Sequence, residues 1–153
     1  MAAAVRSLLV LTVVGFAVLL GSGTARAGEL DGYLWNHRPL LVFAPSAEDP
    51  RLIETLARIE SSRCEFTSRD MVLAQVLADG TSMLDGRVLD ADSARQLADR
   101  YTVGGSTFAV VLIGKDGSQK FRVDAVPNLQ TVYAVIDGMP MRGQEMNGNN
   151  SEC

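Results

Sequence analysis

Three short, almost wholly apolar runs limit the folds open to this chain more than any other feature. They are Leu40 to Ala44 (LLVFA), Met71 to Leu77 (MVLAQVL) and Phe108 to Ile113 (FAVVLI). Runs of this length fall short of a helix, and far short of the ~20 apolar residues that cross a bilayer. An alternating run leaves one face for water, whereas an unbroken one leaves none. Each therefore reads as a strand covered on both sides. Gln75 is the one clearly polar residue in the second run, and Pro45-Ser46 closes the first.

Helical patterns separate the runs. Asp49-Pro50 opens one, because an aspartate accepts the free amides of a first turn and proline suits the first helical position. Leu52, Ile53, Leu56 and Ile59 then form an apolar stripe, with Arg51, Glu54, Arg58 and Glu60 on the remaining surface. Asp90 or Asp92 caps a second helix, in which Ala94, Leu97, Ala98 and Tyr101 share a face. Pro127 opens a third, with Leu129, Val132, Tyr133 and Ile136 inward, stopped by Gly138 and Pro140. Gly114-Lys115-Asp116-Gly117 predicts a hairpin into an edge strand over Gln119 to Val123, its Asp-Gly pair tolerating positive φ at both turn positions. Residues 78–89 predict a loop or short hairpin around Asp85-Gly86. Gly28 to Arg38 predicts an extended or loosely turned lead-in that packs Trp35 on the domain. The order strand, helix, strand, helix, strand, strand, helix implies an α/β protein, a thioredoxin-like mixed β-sheet flanked by helices.

The N-terminus adds a setting. Arg6, an apolar stretch from Leu8 to Leu20 and Ala25-Arg26-Ala27 form the three parts of a secretory signal peptide, with cleavage expected before Gly28. The expected organisation is a signal peptide over 1–27, one domain over 28–142 and a polar, disordered tail over 143–153. The general secretory route is favoured by the absence of paired arginines. The mature chain is expected to be periplasmic or secreted, without stable membrane insertion. The chain carries a net charge of −4, made more negative by loss of Arg6 and Arg26. An acidic chain without clustered Lys and Arg is a poor nucleic-acid binder. His37 is the only histidine and Cys64 and Cys153 the only cysteines, so no metal site of the usual type and no cofactor is expected.

Two stretches resemble thioredoxin. Leu41-Val42-Phe43 leads through Ser46 into Ala47-Glu48-Asp49-Pro50-Arg51, where thioredoxins place a strand, the Cys-Gly-Pro-Cys motif and a helix. Tyr101 through Phe108 to Gly117 resembles the run of tyrosine, cis-proline loop, apolar strand and turn. On this mapping Glu48 and Arg51 stand at the redox cysteine positions, and Thr107 is nearest the cis-proline. The mature chain also resembles the bacterial DUF4174 domain family. The match rests on Arg38-Pro39-Leu40-Leu41-Val42-Phe43-Ala44-Pro45-Ser46, Asp49-Pro50-Arg51, Val111 to Gly117 and Ile136 to Arg142. That family is similar to segments of sushi-repeat and coiled-coil extracellular-matrix proteins. The resemblance implies a thioredoxin- or peroxiredoxin-like fold in an extracytoplasmic setting, and no particular activity.

The candidate site residues follow. Glu48, Asp49 and Arg51 lie at a strand's carboxyl end and a helix start, where open α/β sheets bind ligands and anions are favoured. Thr107 joins them as a candidate for ligand binding. The competing reading makes Asp49 a cap and Glu48–Arg51 a solvated ion pair. Cys64 follows the first helix, with Glu65 opposing any thiolate. His37 beside Trp35 reads as packing or surface, and Met139, Met141 and Met146 as core cover. The expected function is a redox-inactive binding module in the cell envelope, whose partner is an envelope protein or a small anionic ligand. The alternatives are a thiol oxidoreductase or peroxidase working through Cys64, and an adhesion or structural module.

Overall fold

The computed structural model describes residues 28–148; the expected signal peptide and Cys153 lie outside them. The three apolar runs are strands, and they form the interior of one six-stranded sheet. In chain order the strands are β1 (Arg38–Ala44), β2 (Met71–Leu77), β3 (Ser82–Leu84), β4 (Arg87–Leu89), β5 (Ala109–Ile113) and β6 (Gln119–Val123). The helices are α1 (Pro50–Ser61), α2 (Arg63–Thr67), α3 (Ala91–Arg100), α4 (Leu129–Asp137) and α5 (Pro140–Gly148). The spatial order is β4-β3-β2-β1-β5-β6, with β1 parallel to β2 and every other pair antiparallel.

Strand alternation divides the core in two. Leu40, Val42 and Ala44 of β1 face one layer with Leu52, Ile59, Phe66, Val132, Tyr133 and Ile136 from α1, α2 and α4. Leu41 and Phe43 face the other, with Ala94, Leu97 and Tyr101 of α3 and its end. A strand buried on both faces needs this continuous apolar run, which is what the sequence supplies. No helix among the described residues is long and apolar enough to cross a membrane.

Local chemistry explains the boundaries. Asp49 caps α1 through the Arg51 amide, Asp90 caps α3 through the Ser93 amide, and Asn128 caps α4 through the Gln130 amide. At Asp85-Gly86 both residues have positive φ, 51° and 76°, the mark of a tight two-residue β3–β4 turn. The second Asp-Gly behaves differently. Only Gly117 has positive φ (78°), so residues 114–118 form a longer loop closed by Gly114 N–H to Ser118 O. A register shift between Leu112 and Ile113 accompanies it.

Several expectations change. Trp35 is 64% exposed rather than packed on the domain, because its φ of 65° turns the lead-in outward after a 3₁₀ turn at Asp31–Tyr33. Ile53 is exposed, and Thr55 takes its place inside by donating its hydroxyl to Arg51 O (2.7 Å). Met141 and Met146 are exposed, leaving only Met139 of the three against the core. The larger change is at the C-terminal end. Pro140 opens α5 instead of ending the ordered chain, so the disordered tail expected from residue 143 is helical through Gly148.

Candidate functional site

The start of α1 lies at the carboxyl end of β1 and carries a carboxylate, Asp49, and a guanidinium, Arg51. Asp49 accepts from the Arg51 amide (2.9 Å), from Arg51 Nε (3.0 Å) and from Arg51 Nη2 (2.6 Å). Its side chain is almost wholly buried, whereas that of Arg51 is partly exposed. The hydrogen bond from the Arg51 side chain, opposed by burial, holds the Asp49 carboxyl down at about 2. The guanidinium also lies 5.0 Å from the centre of the Phe108 ring, a cation–π distance. Asp49 therefore fixes one guanidinium, one first-turn amide and the approach to Phe108. The ion pair forms with Asp49, not with the expected partner Glu48, whose side chain is exposed.

Cys64 is not at this helix start. It lies on α2, a short helix of its own rather than a simple link into β2, and it is disulfide-bonded. A sulfur so engaged offers neither a nucleophile nor a metal ligand until it is reduced. Among the described residues no group of three or more His, Cys, Asp and Glu is placed to hold a metal ion.

Thr107 belongs to a different feature, a cleft of about 610 Å³ on the α3 side of the sheet. Such a volume lies within the range of small-molecule sites. Phe43, Ala44, Val76 and Leu77 form its base at the carboxyl ends of β1 and β2. Ala91, Ala94 and Ala98 of α3 make one wall, and their small side chains leave the space open. Gly104, Gly105 and Thr107 stand opposite, with Ser82 and Val88 from the β3–β4 hairpin. Ser82 Oγ accepts from Leu77 N–H (2.8 Å), which satisfies backbone that the cleft would otherwise strand. None of Glu48, Asp49 and Arg51 lines this cleft. The four candidate residues are thus divided between two places.

A family model described as a domain of unknown function, DUF4174, matches residues 29–145. The chain belongs to the DUF4174 family. It is also 25% identical over 135 residues to coiled-coil domain-containing protein 80 of Danio rerio, a match covering 76% of this chain. It spans only 15% of that relative's length. Among solved structures, the reduced 2-Cys peroxiredoxin of Plasmodium vivax superposes with a TM-score of 0.58 at 15% identity. That match covers 75% of this chain and 84% of the peroxiredoxin. Thioredoxin peroxidase I of Plasmodium yoelii gives 0.55 at 19%, covering 81% and 82%. At such identities these likenesses show the fold, which is thioredoxin-like.

The opposite end of this DUF4174 domain holds a cluster that sequence reasoning missed. Arg38 begins β1 and is 1% exposed. Its Nη1 and Nη2 donate to the two oxygens of Glu145 on α5 at 3.1 and 3.0 Å. Lys115, from the β5–β6 loop, donates to Glu145 Oε1 (2.7 Å) and Asp70 Oδ2 (2.8 Å). A second pair of cations converges nearby. Arg69 donates to both oxygens of Asp137 at 3.0 and 2.7 Å, and its guanidinium sits 4.8 Å from the Tyr133 ring centre. Arg142 reaches Ser68 O (2.8 Å) and Asp137 Oδ1 (3.4 Å). Burial disfavours the charged forms of Glu145 and Asp137. The hydrogen bonds from these cations outweigh it, and both carboxyls end below their ordinary values. The available signal was that Arg38 stands two residues before the apolar run of β1, where a buried cation demands a carboxylate from elsewhere in the chain.

Proposed function

We propose that this DUF4174 domain is an exported recognition module that works without thiol redox chemistry. The observation that carries the reading is the Asp49–Arg51 ion pair, its carboxylate buried and its guanidinium partly exposed, at the helix start where a thioredoxin-type cysteine would need to stand. A carboxylate and a guanidinium locked together can neither attack a disulfide nor resolve a mixed one. The runner-up, a peroxidase or oxidoreductase, draws on the names of the Plasmodium proteins and requires Cys64, which is disulfide-bonded and exposed. An adhesion or structural role draws only on the likeness to the Danio rerio protein and has no separate geometric support.

Export rests on the motif at residues 6–27. Protein recovered from the cell envelope is expected to begin at Gly28 by mass, and an intact Met1 would contradict export. As for the partner, Arg51 is engaged by Asp49, so the helix start has little positive charge left for an anionic ligand. The cleft beside α3 is the better binding place. Insulin reduction in the presence of dithiothreitol tests the redox part of the reading. The expected rate is that of the reagent alone; turnover above a heat-inactivated control counts against it.

A further inference from the structure

The cleft beside α3 has a chemical bias that identifies its class of ligand. Its base and one wall are largely apolar, from Leu77, Ala94, Ala98 and Val103, and the buried Ser82 hydroxyl is already bonded to the Leu77 amide. Asp99, in the last turn of α3, lines the cleft and is exposed, and its carboxylate makes no ion pair or side-chain hydrogen bond among the described residues. Asp79, between the lining residues Ala78 and Gly80, is likewise exposed and unpaired. The cationic side chain of the lining, Arg95, is already paired with Asp92 on its own helix. The mouth is therefore negative over an apolar interior.

We propose that this cleft binds a small amphipathic cation. A compact apolar body sits among Leu77, Ala94, Ala98 and Val103, and a protonated amine or quaternary ammonium group lies at the rim beside Asp99. The assignment rests on the recognition reading and adds to it a location and a ligand class. Ala98 is half-buried on the wall and Ala91 is exposed at its edge, so a larger side chain at either position enters the cleft without crowding the innermost core.

Calorimetric titration with 1-naphthylmethylamine, a cation, and 1-naphthaleneacetate, an anion on the same ring, tests it at neutral pH and low salt. The amine is expected to saturate one site. It should bind about tenfold more tightly than the anion, since exposed charge pairs contribute up to ~1 kcal/mol in each direction. Asp99→Asn should weaken amine binding by up to about fivefold while leaving the anion no weaker. Ala98→Phe should abolish binding of the amine. Should that variant lose its far-UV circular dichroism, Ala91→Phe, at an exposed position, decides in its place. Absence of saturable amine binding, equal binding of the anion, or unchanged binding in a folded filling variant would overturn the proposal. Insulin reduction measured on the same preparation reports separately on the redox part of the proposed function.

Discussion

Truncating Glu145 to alanine should destabilise the domain far more than its place near the end of a polar segment suggests. The carboxylate accepts three charge-assisted hydrogen bonds, from Arg38 at 3.1 and 3.0 Å and from Lys115 at 2.7 Å. Those cations are 1% and 8% exposed, so neither can recover its hydration when the carboxylate goes. Removing one member of a buried pair costs ~3–5 kcal/mol. Two features lower that figure here. Glu145 itself is 21% exposed, and Asp70 remains 2.8 Å from Lys115 and 3.9 Å from Arg38. About 2–3 kcal/mol is the resulting expectation. For a domain of this size that lowers Tm by roughly 6–15 °C. Thermal melts followed by circular dichroism at pH 7 measure it. In an Arg38→Met background the same substitution should cost less, because the most buried cation is then absent. A fall of less than about 2 °C would mean that α5 is not docked in solution, and that the tail is dispensable from residue 143 onward.

Acid should destabilise the protein through Glu145 and three further paired carboxyls. Asp49 and Asp116 are held at about 2, Asp116 mainly by the hydrogen bond from Lys120, while Asp137 and Glu145 also lie below their ordinary values. Carboxyls depressed by folding stabilise the native state above their ordinary values of 3.8 and 4.5, and that stabilisation is lost as pH falls toward about 2. Melts between pH 6 and 2 should therefore show Tm falling mainly below about 4.5, and a flat profile would contradict the ion-pair geometry. Asp49→Ala removes both the α1 cap and the partner of Arg51; a loss of about 1–2 kcal/mol is expected in urea denaturation, and no change would mean the cap is not formed.

The strands and caps were legible in the sequence because each depends on neighbours in the chain. Short apolar runs placed β1, β2 and β5, Asp49-Pro50 placed the start of α1, and Asp90 or Asp92 placed that of α3, where the cap is Asp90. The Asp85-Gly86 turn followed from its dipeptide, whereas the loop at Gly117 obeyed a register shift that no dipeptide reports. What failed was non-local. α5 presents little apolar surface, its one buried residue being Arg142, so hydrophobic periodicity gives no reason to dock it. Its attachment instead uses Arg38, 107 positions away from Glu145. The site was half legible for the same reason. Asp49 and Arg51 are two residues apart and their pairing is local. The cleft holding Thr107 is assembled from β1, β2, the β3–β4 hairpin, α3 and the following loop, and its volume reflects alanines that each look like ordinary helix formers.

Peroxide consumption by the reduced protein is the most direct test of the claim that this thioredoxin-like domain works without thiol chemistry. With dithiothreitol as electron donor, the wild-type chain and Cys64→Ser should consume hydrogen peroxide at the same rate, indistinguishable from the reagent blank. Saturable consumption by the wild type that is lost in Cys64→Ser would contradict the account and make Cys64 the reacting group.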